Sequence, residues 1–243
     1  MGTGTTKVTE IQTKFNVRVK EDWGFFDSIK FVPTFPFITR RKLSDLENWT
    51  LDDLKTLHDS LAVMFDRLSS NVPNRNAFFQ KYIGGMTVKK DSALDGKRHP
   101  GETLRPYMAF WTKSALSSWT VYHEFGHAWD QARGHALSDG LEAFTGGYTD
   151  KSKAWEGCTE GDTWSPGCNN AGYFYGDIPP KGSSKSFNKA EDWAESVATF
   201  INPAGAQSVV STFSGPKAKL KYSDYTKLKR YQYVLLVIAG EKP

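Results

Sequence analysis

The stretch VYHEFGHAW, residues 121–129, decides how this chain of 243 residues is interpreted. It contains two histidines four positions apart, His123 and His127, with Glu124 directly after the first. Residues four apart lie on the same face of a helix, so the two imidazoles can bind one metal ion. Glu124 is then placed to act as a general base toward a metal-activated water. The stretch therefore predicts a helix that carries a metal site.

The residues around this motif have the spacing of a buried helix. Neither proline nor a run of turn residues interrupts the chain from about Lys113 to about Arg133, and Gly134 is a typical stop signal. Gly126 costs the helix about 1 kcal/mol relative to alanine, but its small size lets another segment approach closely. The apolar residues at helical spacing are Leu116, Trp119, Val121, Phe125, Ala128 and Trp129.

The third metal ligand has to come from elsewhere in the chain, because catalytic zinc usually takes three protein ligands and one water. One known pattern uses a histidine six residues after the second histidine, with a glycine between them. Here those positions are Arg133 and Asp130, so this pattern is absent. The other pattern uses a glutamate on a later helix, and residues 191–195, EDWAE, supply one.

A second helix is predicted around this acidic segment. Ser186 and Asn188 are plausible N-caps, and Asn202-Pro203 ends the apolar spacing. Glu191 and Glu195 lie four apart on one face, so Glu191 could bind the metal while Glu195 accepts the free N–H of a ligating imidazole. The alternative is a solvated acidic first turn, which the helix dipole favours.

HEFGH followed by EDWAE resembles the gluzincin metallopeptidases, most closely the group of anthrax lethal factor and the Pro-Pro endopeptidases. This resemblance implies an α+β, zincin-like fold with a small mixed sheet, an HExxH helix and a second Glu-bearing helix. It implies one catalytic Zn²⁺ and Glu124 as the base, with Glu195 and Asp130 supporting the ligands. The implied zinc ligands are His123, His127 and Glu191.

The resemblance is incomplete at the residue that steadies the oxyanion. Members of that group carry a tyrosine seven residues before the third ligand, and this chain has Ser184 there. Tyr148, Tyr173 and Tyr175 are candidates for the missing donor. Each could equally be an aromatic residue of the cleft wall or the core.

Two cysteines, Cys158 and Cys168, lie in a loop rich in Gly, Pro, Ser and Asp. Two nearby cysteines with no others in the chain predict one disulfide and an oxidising, extracellular location. The first residues lack the apolar core of a signal peptide. The predicted extracellular location therefore assumes a signal peptide that this sequence does not include. Free thiols in a cytosolic protein are the alternative.

The net charge is +4 at pH 7, with basic residues concentrated at 40–42 and 217–230. The second group, which includes Lys229 and Arg230, is read as a solvated basic face; weak attraction to anionic surfaces is the alternative. There is no nucleic-acid motif, and no apolar run of 18 residues predicts a transmembrane segment. We expect a monomer that acts on a peptide or protein substrate.

The remaining pattern predicts an N-terminal strand and loop region, residues 1–49, packed on a catalytic domain, residues 50–243. Strand 107–111 is a candidate edge strand along which a peptide could add, although an interior position fits equally well. The stretch 134–190 reads as a long loop beside the metal. Further predicted elements are helices at 50–68 and 74–82, strands at 15–19, 86–90 and 106–111, and a C-terminal helix from about Ser223.

The sequence thus predicts a zinc-dependent endopeptidase. One alternative is a secreted zinc-bearing effector, toxin component or binding module whose proteolysis is very narrow or vestigial. Another is a structural domain in which HEFGH is only part of a helix surface.

Overall fold

The chain folds as a mixed α+β protein with a small four-stranded sheet, which confirms the predicted class. The computed structural model describes residues 2–20, 49–91, 101–111, 116–145, 189–211, 226 and 228–240. It divides into two compact units, the first formed by residues 1–70 and 74–132, the second by residues 71–73 and 133–243. The helices are α1 (Gly2–Phe15), α2 (Leu51–Ser69), α3 (Arg75–Tyr82), α4 (Ser118–Ala132), α5 (Ala136–Thr145), α6 (Lys189–Ile201), α7 (Pro203–Ser211) and α8 (Lys229–Ala239). The strands are β1 (Val17–Val19), β2 (Met86–Asp91), β3 (Gly101–Leu104) and β4 (Tyr107–Trp111).

The sheet of the first unit has the strand order β1-β2-β4-β3. Strands β1, β2 and β4 are parallel to one another, whereas β3 is antiparallel to β4. Val88 pairs with Met108, and Met108 pairs with Thr103 on the other side, so these three residues share one face. The buried apolar residues on this face are Val17, Val19, Met86, Val88, Met108 and Phe110.

The candidate edge strand of the sequence analysis, Tyr107–Trp111, is an interior strand. It pairs with β2 on one side and with β3 on the other. Strand β3 was not predicted, because its four residues, GETL, include glycine and glutamate, which have low strand propensity. Pairing with β4 holds it in place, and within the described part of the chain β3 lies at the edge that had been expected for β4.

Helix α2 buries one face in the first unit, where it contacts α1 and α4. Its apolar stripe follows the predicted spacing, and burial of each large side chain contributes about 1.5–3 kcal/mol. Thr50 caps the helix with a reciprocal pair of hydrogen bonds to Asp53. The buried stripe consists of Leu54, Leu57, Leu61, Met64 and Leu68.

Asp53 connects three segments of the first unit. Its Oδ2 accepts hydrogen bonds from the Thr50 hydroxyl at 2.6 Å and from Lys90 Nζ, at the end of β2, at 2.8 Å. Its Oδ1 accepts from the N–H of Leu116, just before α4, at 2.9 Å. Burial alone would raise the pKa of Asp53, but these hydrogen bonds together hold it below its usual value. This buried carboxylate therefore fixes the point where the chain enters α4.

The turn between β3 and β4 is attached to α4 and to the end of α3 by Arg105. Its guanidinium donates to the carbonyl oxygens of Gly84 at 2.8 Å, Lys81 at 3.2 Å and Tyr82 at 3.3 Å. These oxygens lie at the C-terminal end of α3, where a cation is favoured. Burial lowers the pKa of Arg105.

The second unit is a cluster of helices in which α6 contacts α5, α7 and α8. Trp193 on α6 and Tyr233 on α8 are fully buried and meet edge to face at 6.1 Å between ring centroids. Asp192 and Arg230 form a buried ion pair, with Nε and Oδ1 2.6 Å apart. Burial raises the pKa of Asp192 to about 6, against the opposing effect of Arg230. Arg230 is thus a buried partner of Asp192 and not part of a solvated basic face, as its sequence context had suggested.

Helix α4 is shorter at its start than predicted, while its end agrees with the prediction. Ser117 accepts the N–H of Thr120 at 3.0 Å, so it caps the helix and sets its beginning at Ser118 instead of about Lys113. The helix ends at Ala132, and Gly134 adopts the left-handed conformation, with a φ of 61°, that favours glycine.

The predicted loop 134–190 contains helix α5, which the sequence analysis missed. Ser138, Asp139 and Gly140 have low helix propensity, but Leu137 and Leu141 lie one turn apart and are both fully buried. Tertiary burial therefore overrides local propensity here. In the described residues, no helix is both long enough and apolar enough to cross a membrane.

Candidate metal centre

Helix α4 brings the two histidines of the HEFGH motif together. Their rings lie edge to face with centroids 4.7 Å apart, and the two Nε2 atoms are 3.1 Å apart. Two nitrogens bound to one tetrahedral zinc at the usual bond length would be about 3.3 Å apart. The spacing of His123 and His127 therefore suits a shared metal ion.

The rest of α4 anchors these histidines in the first unit. Val121, Phe125 and Trp129 are buried on the opposite side of the helix, while both histidines are only half-buried. Gly126 lies inside the packed face, as expected for a small residue within the motif. The helix thus presents two imidazoles on a rigid support.

Glu124 is buried, with 3% of its surface exposed, and is held by strand β3. The hydroxyl of Thr103 lies 2.6 Å from Oε2 of the Glu124 carboxylate and 3.1 Å from the main-chain carbonyl oxygen of Glu124. Gly101 lies so close that a Cβ at that position would be 2.4 Å from Oε1. The carboxylate therefore sits between α4 and β3 in a defined position.

Glu191 is half-buried in the first turn of α6, as the sequence predicted. Within the described part of the chain, His123, His127 and Glu191 form a group that could hold one metal ion, since each offers a ligand atom within 4.8 Å of the others. Two imidazole nitrogens and one carboxylate oxygen form a donor set that suits zinc, although imidazole also suits other transition metals. The donor chemistry therefore fits a single ion.

Two of the other predicted site residues, Asp130 and Glu195, lie in the described part of the chain. Asp130 is buried on α4, and Glu195 lies one turn after Glu191 on α6; their support of the ligands stays a prediction. The remaining candidates lie outside the described residues, so their oxyanion and disulfide roles also stay predictions. They are Tyr148, Tyr173, Tyr175, Cys158 and Cys168.

Sequence reasoning missed Thr103, Gly101 and Gln131. The Gln131 side chain, on α4, donates from Nε2 to the Thr103 carbonyl oxygen at 2.8 Å and accepts the N–H of Arg105 at 2.8 Å. No motif marks these residues, because their relation to Glu124 arises from the pairing of β3. The only available signal was the alternation by which Gly101 and Thr103 share one strand face.

Comparison with protein-family models, curated proteins and solved structures finds no match to this chain. The function must therefore be argued from the site itself.

Proposed function

We propose that this chain is a zinc-dependent endopeptidase of the gluzincin type, with a zincin-like arrangement of its catalytic helices. The observation that carries the proposal is the 3.1 Å approach of the His123 and His127 Nε2 atoms, next to a buried Glu124 on the same helix. Glu191, which belongs to the same potential metal-binding group, is the proposed third ligand.

A zinc ion bound by these residues would supply a Lewis acid that activates water and polarises the scissile carbonyl. The Glu124 carboxylate would take a proton from the attacking water while the water oxygen bonds to the carbonyl carbon of the substrate. Glu124 would then give that proton to the amide nitrogen as the C–N bond breaks. One residue thus serves first as general base and then as general acid.

We place the peptide substrate along β3. Among the strands of the described residues, β3 forms one edge of the sheet in the first unit, and its residues Gly101 and Thr103 contact Glu124. An extended peptide can add to a sheet edge through main-chain hydrogen bonds, here along the part of β3 that precedes the Thr103 carbonyl oxygen, which Gln131 binds. Such pairing would bring a scissile bond close to the proposed base without requiring a particular substrate sequence.

Replacement of Glu124 by glutamine tests the proposed mechanism. Glu124→Gln keeps the shape of the side chain but cannot accept the proton, so we expect unchanged zinc content and a loss in kcat of roughly 10²–10⁴-fold. Zinc is measured by elemental analysis, and cleavage is measured with a mixed peptide library. Glu10→Gln, the same change on α1, is the matched control.

Retention of most activity by Glu124→Gln would show that the mechanism is wrong. A zinc-loaded wild-type protein that cleaves no peptide in the library would instead support the alternative of a binding module or a narrowly specific effector. Absence of zinc from the wild type after incubation with the ion would reduce HEFGH to a helix surface.

A further inference from the structure

Strand β3 contacts the side chain of Glu124 at its charged end. The Thr103 hydroxyl has one proton and two acceptors within reach, the Glu124 carboxylate at 2.6 Å and the Glu124 carbonyl oxygen at 3.1 Å. The ionised carboxylate is the stronger acceptor, and 2.6 Å is typical of a charge-assisted O–H···O bond. Thr103 therefore donates to Oε2 and restrains the end of the side chain.

Gly101, two residues earlier on the same face of β3, leaves the space that the other carboxylate oxygen, Oε1, occupies. A Cβ at this position would lie 2.4 Å from Oε1, 2.6 Å from Cδ and 2.7 Å from Cγ of Glu124. Real Cβ atoms do not approach other atoms so closely. The observed position of the carboxylate therefore requires glycine at residue 101.

The distance between β3 and α4 is itself fixed by Gln131, two helical turns after Glu124. Its side-chain amide binds both the carbonyl oxygen of Thr103 and the N–H of Arg105, each at 2.8 Å. In this way it completes main-chain hydrogen bonding at the end of β3. The contacts of Thr103 and Gly101 with Glu124 thus belong to a strand that is fastened to the helix.

We propose that β3 is the positioning element for Glu124, with Thr103 holding one carboxylate oxygen and Gly101 making room for the other. Both are positioning residues that act through Glu124. The inference rests on the proposed function, because a base has to lie within hydrogen-bond reach of the proton that it takes. A long side chain with several rotatable bonds needs such support to stay in a productive geometry.

Three variants test this inference in the full chain loaded with zinc. Thr103→Val removes the hydroxyl but keeps the shape, Thr103→Ser keeps the hydroxyl, and Gly101→Ala adds the Cβ that would displace the carboxylate. Thr13→Val is the matched control, because the Thr13 hydroxyl, at an exposed position on α1, bonds only to carbonyl oxygens of its own helix.

We expect Thr103→Val and Gly101→Ala to lose roughly 10- to 100-fold in kcat, since a misplacement of about 1 Å can cost that much. KM should stay within about twofold, because a peptide that pairs with β3 bonds to its main-chain groups, which these side-chain changes leave in place. Zinc content and melting temperature should stay close to those of the wild type. Thr103→Ser should recover most of the rate, and crystal structures of the zinc-loaded variants should show the Glu124 carboxylate displaced in Thr103→Val and Gly101→Ala only.

An unchanged kcat in Thr103→Val and Gly101→Ala would overturn the inference. So would a rate loss that follows a loss of zinc or of folded protein, or one that Thr103→Ser shares in full. Failure of the proposed function is a separate result, namely a wild type that binds zinc but cleaves no peptide. In that case the crystal structures decide, since an unmoved carboxylate in both variants overturns the positioning role and a displaced one supports it.

Discussion

The residues of the proposed metal centre differ in how the chain brings them together. His123 and His127 are one helical turn apart, so a formed α4 is enough to align them. Glu191 is far from them in sequence and lies in the first turn of another helix, α6. A measurement of zinc binding by a Glu191 variant is therefore a sharper test of the ligand assignment than the same measurement on a histidine variant.

Glu191→Ala should lose zinc, because a site with three protein ligands becomes a site with two. Removal of a residue that only supports a ligand commonly costs 10–100-fold in metal affinity, and loss of a direct ligand should cost more than about 100-fold. We expect about one zinc per chain in the wild type and much less than one in the variant, by elemental analysis of protein purified without added metal.

Glu142→Ala is the matched control for this measurement. Glu142 is another glutamate of the second unit and lies on α5. Its carboxylate Oε2 is 3.8 Å from the Nζ of Lys189, and both side chains are partly exposed. Loss of such an exposed pair has little effect. Full zinc occupancy in Glu191→Ala would refute the ligand assignment, as would equal losses in both variants.

Gly84 is a second residue whose small size is required, here for stability. A Cβ on Gly84 would lie 2.3 Å from the carbonyl oxygen of Phe15 and 3.2 Å from Cα of Gln80, both main-chain atoms that cannot move aside cheaply. We expect Gly84→Ala to lower the free energy of unfolding by about 1–3 kcal/mol, measured by urea denaturation.

Gly134→Ala provides the comparison for this prediction. It has a φ of 61° but no atom within 4 Å of the position of a Cβ. Its cost should come from the backbone conformation alone, at about 1 kcal/mol. A smaller loss for Gly84→Ala than for Gly134→Ala would contradict the steric argument.

At the scale of elements, periodic burial made most helices predictable. Helices α2 and α6 follow their predicted ranges closely because each has a regular apolar stripe and a recognisable cap or stop. Helix α3 also matches its predicted range, with Asn74 as its cap. Strands β2 and β4 also lie where the apolar runs placed them. The closeness of His123 and His127 could be predicted for the same reason, since helical spacing relates sequence directly to position, whereas Glu191 was selected from the pattern of a glutamate on a later helix.

Elements that exist through tertiary contacts could not be predicted in this way. Helix α1 begins with a glycine- and threonine-rich run, and its buried side includes Ile11 and Phe15. Strand β3 has only four residues and is defined by its pairing with β4. The partners of Glu124 on β3 were missed for this reason, because strand pairing, not sequence spacing, brings them to α4.

Asp53→Asn tests the connection between α2, β2 and the start of α4. The side chains of Asp53 and Lys90 are 0% and 4% exposed, so the variant removes a negative charge that lies against the buried Lys90 ammonium. Breaking a buried pair in this way typically costs about 3–5 kcal/mol. We expect a loss of this size in the free energy of unfolding, measured by urea denaturation.

The neighbouring residue supplies the control. Asp52 is 85% exposed and lies 3.5 Å from Lys55, so Asp52→Asn should change the stability by less than about 1 kcal/mol. Similar losses in the two variants would mean that the contacts of Asp53 contribute no more than a surface charge in the first helical turn.

At the scale of the whole molecule, the described residues of each unit include a buried ion pair, and the two carboxylates are perturbed in opposite directions. Hydrogen bonds hold the pKa of Asp53 below its usual value, whereas burial raises the pKa of Asp192 to about 6. By linkage, Asp192 favours the folded state at low pH, and this contribution is lost as the pH rises toward about 6. Asp53 has the opposite sign: its contribution is fully present above about pH 4 and is lost as the pH falls below that value.

The acid sensitivity of the fold should therefore depend on Asp53. As the pH falls below about 4, the unfolded chain takes up a proton at this carboxyl before the folded protein does, so the folded state loses stability. Above that pH the contribution of Asp53 is constant. Asp53→Asn has no such titration, so the difference in unfolding free energy between wild type and variant should be constant from about pH 6 to about pH 4 and should shrink as the pH falls further to about 3. Urea denaturation at a series of pH values measures this difference, in which the contribution of Asp192 cancels because both proteins retain it. A difference that stays constant down to about pH 3 would show that the folded-state pKa of Asp53 is not lowered.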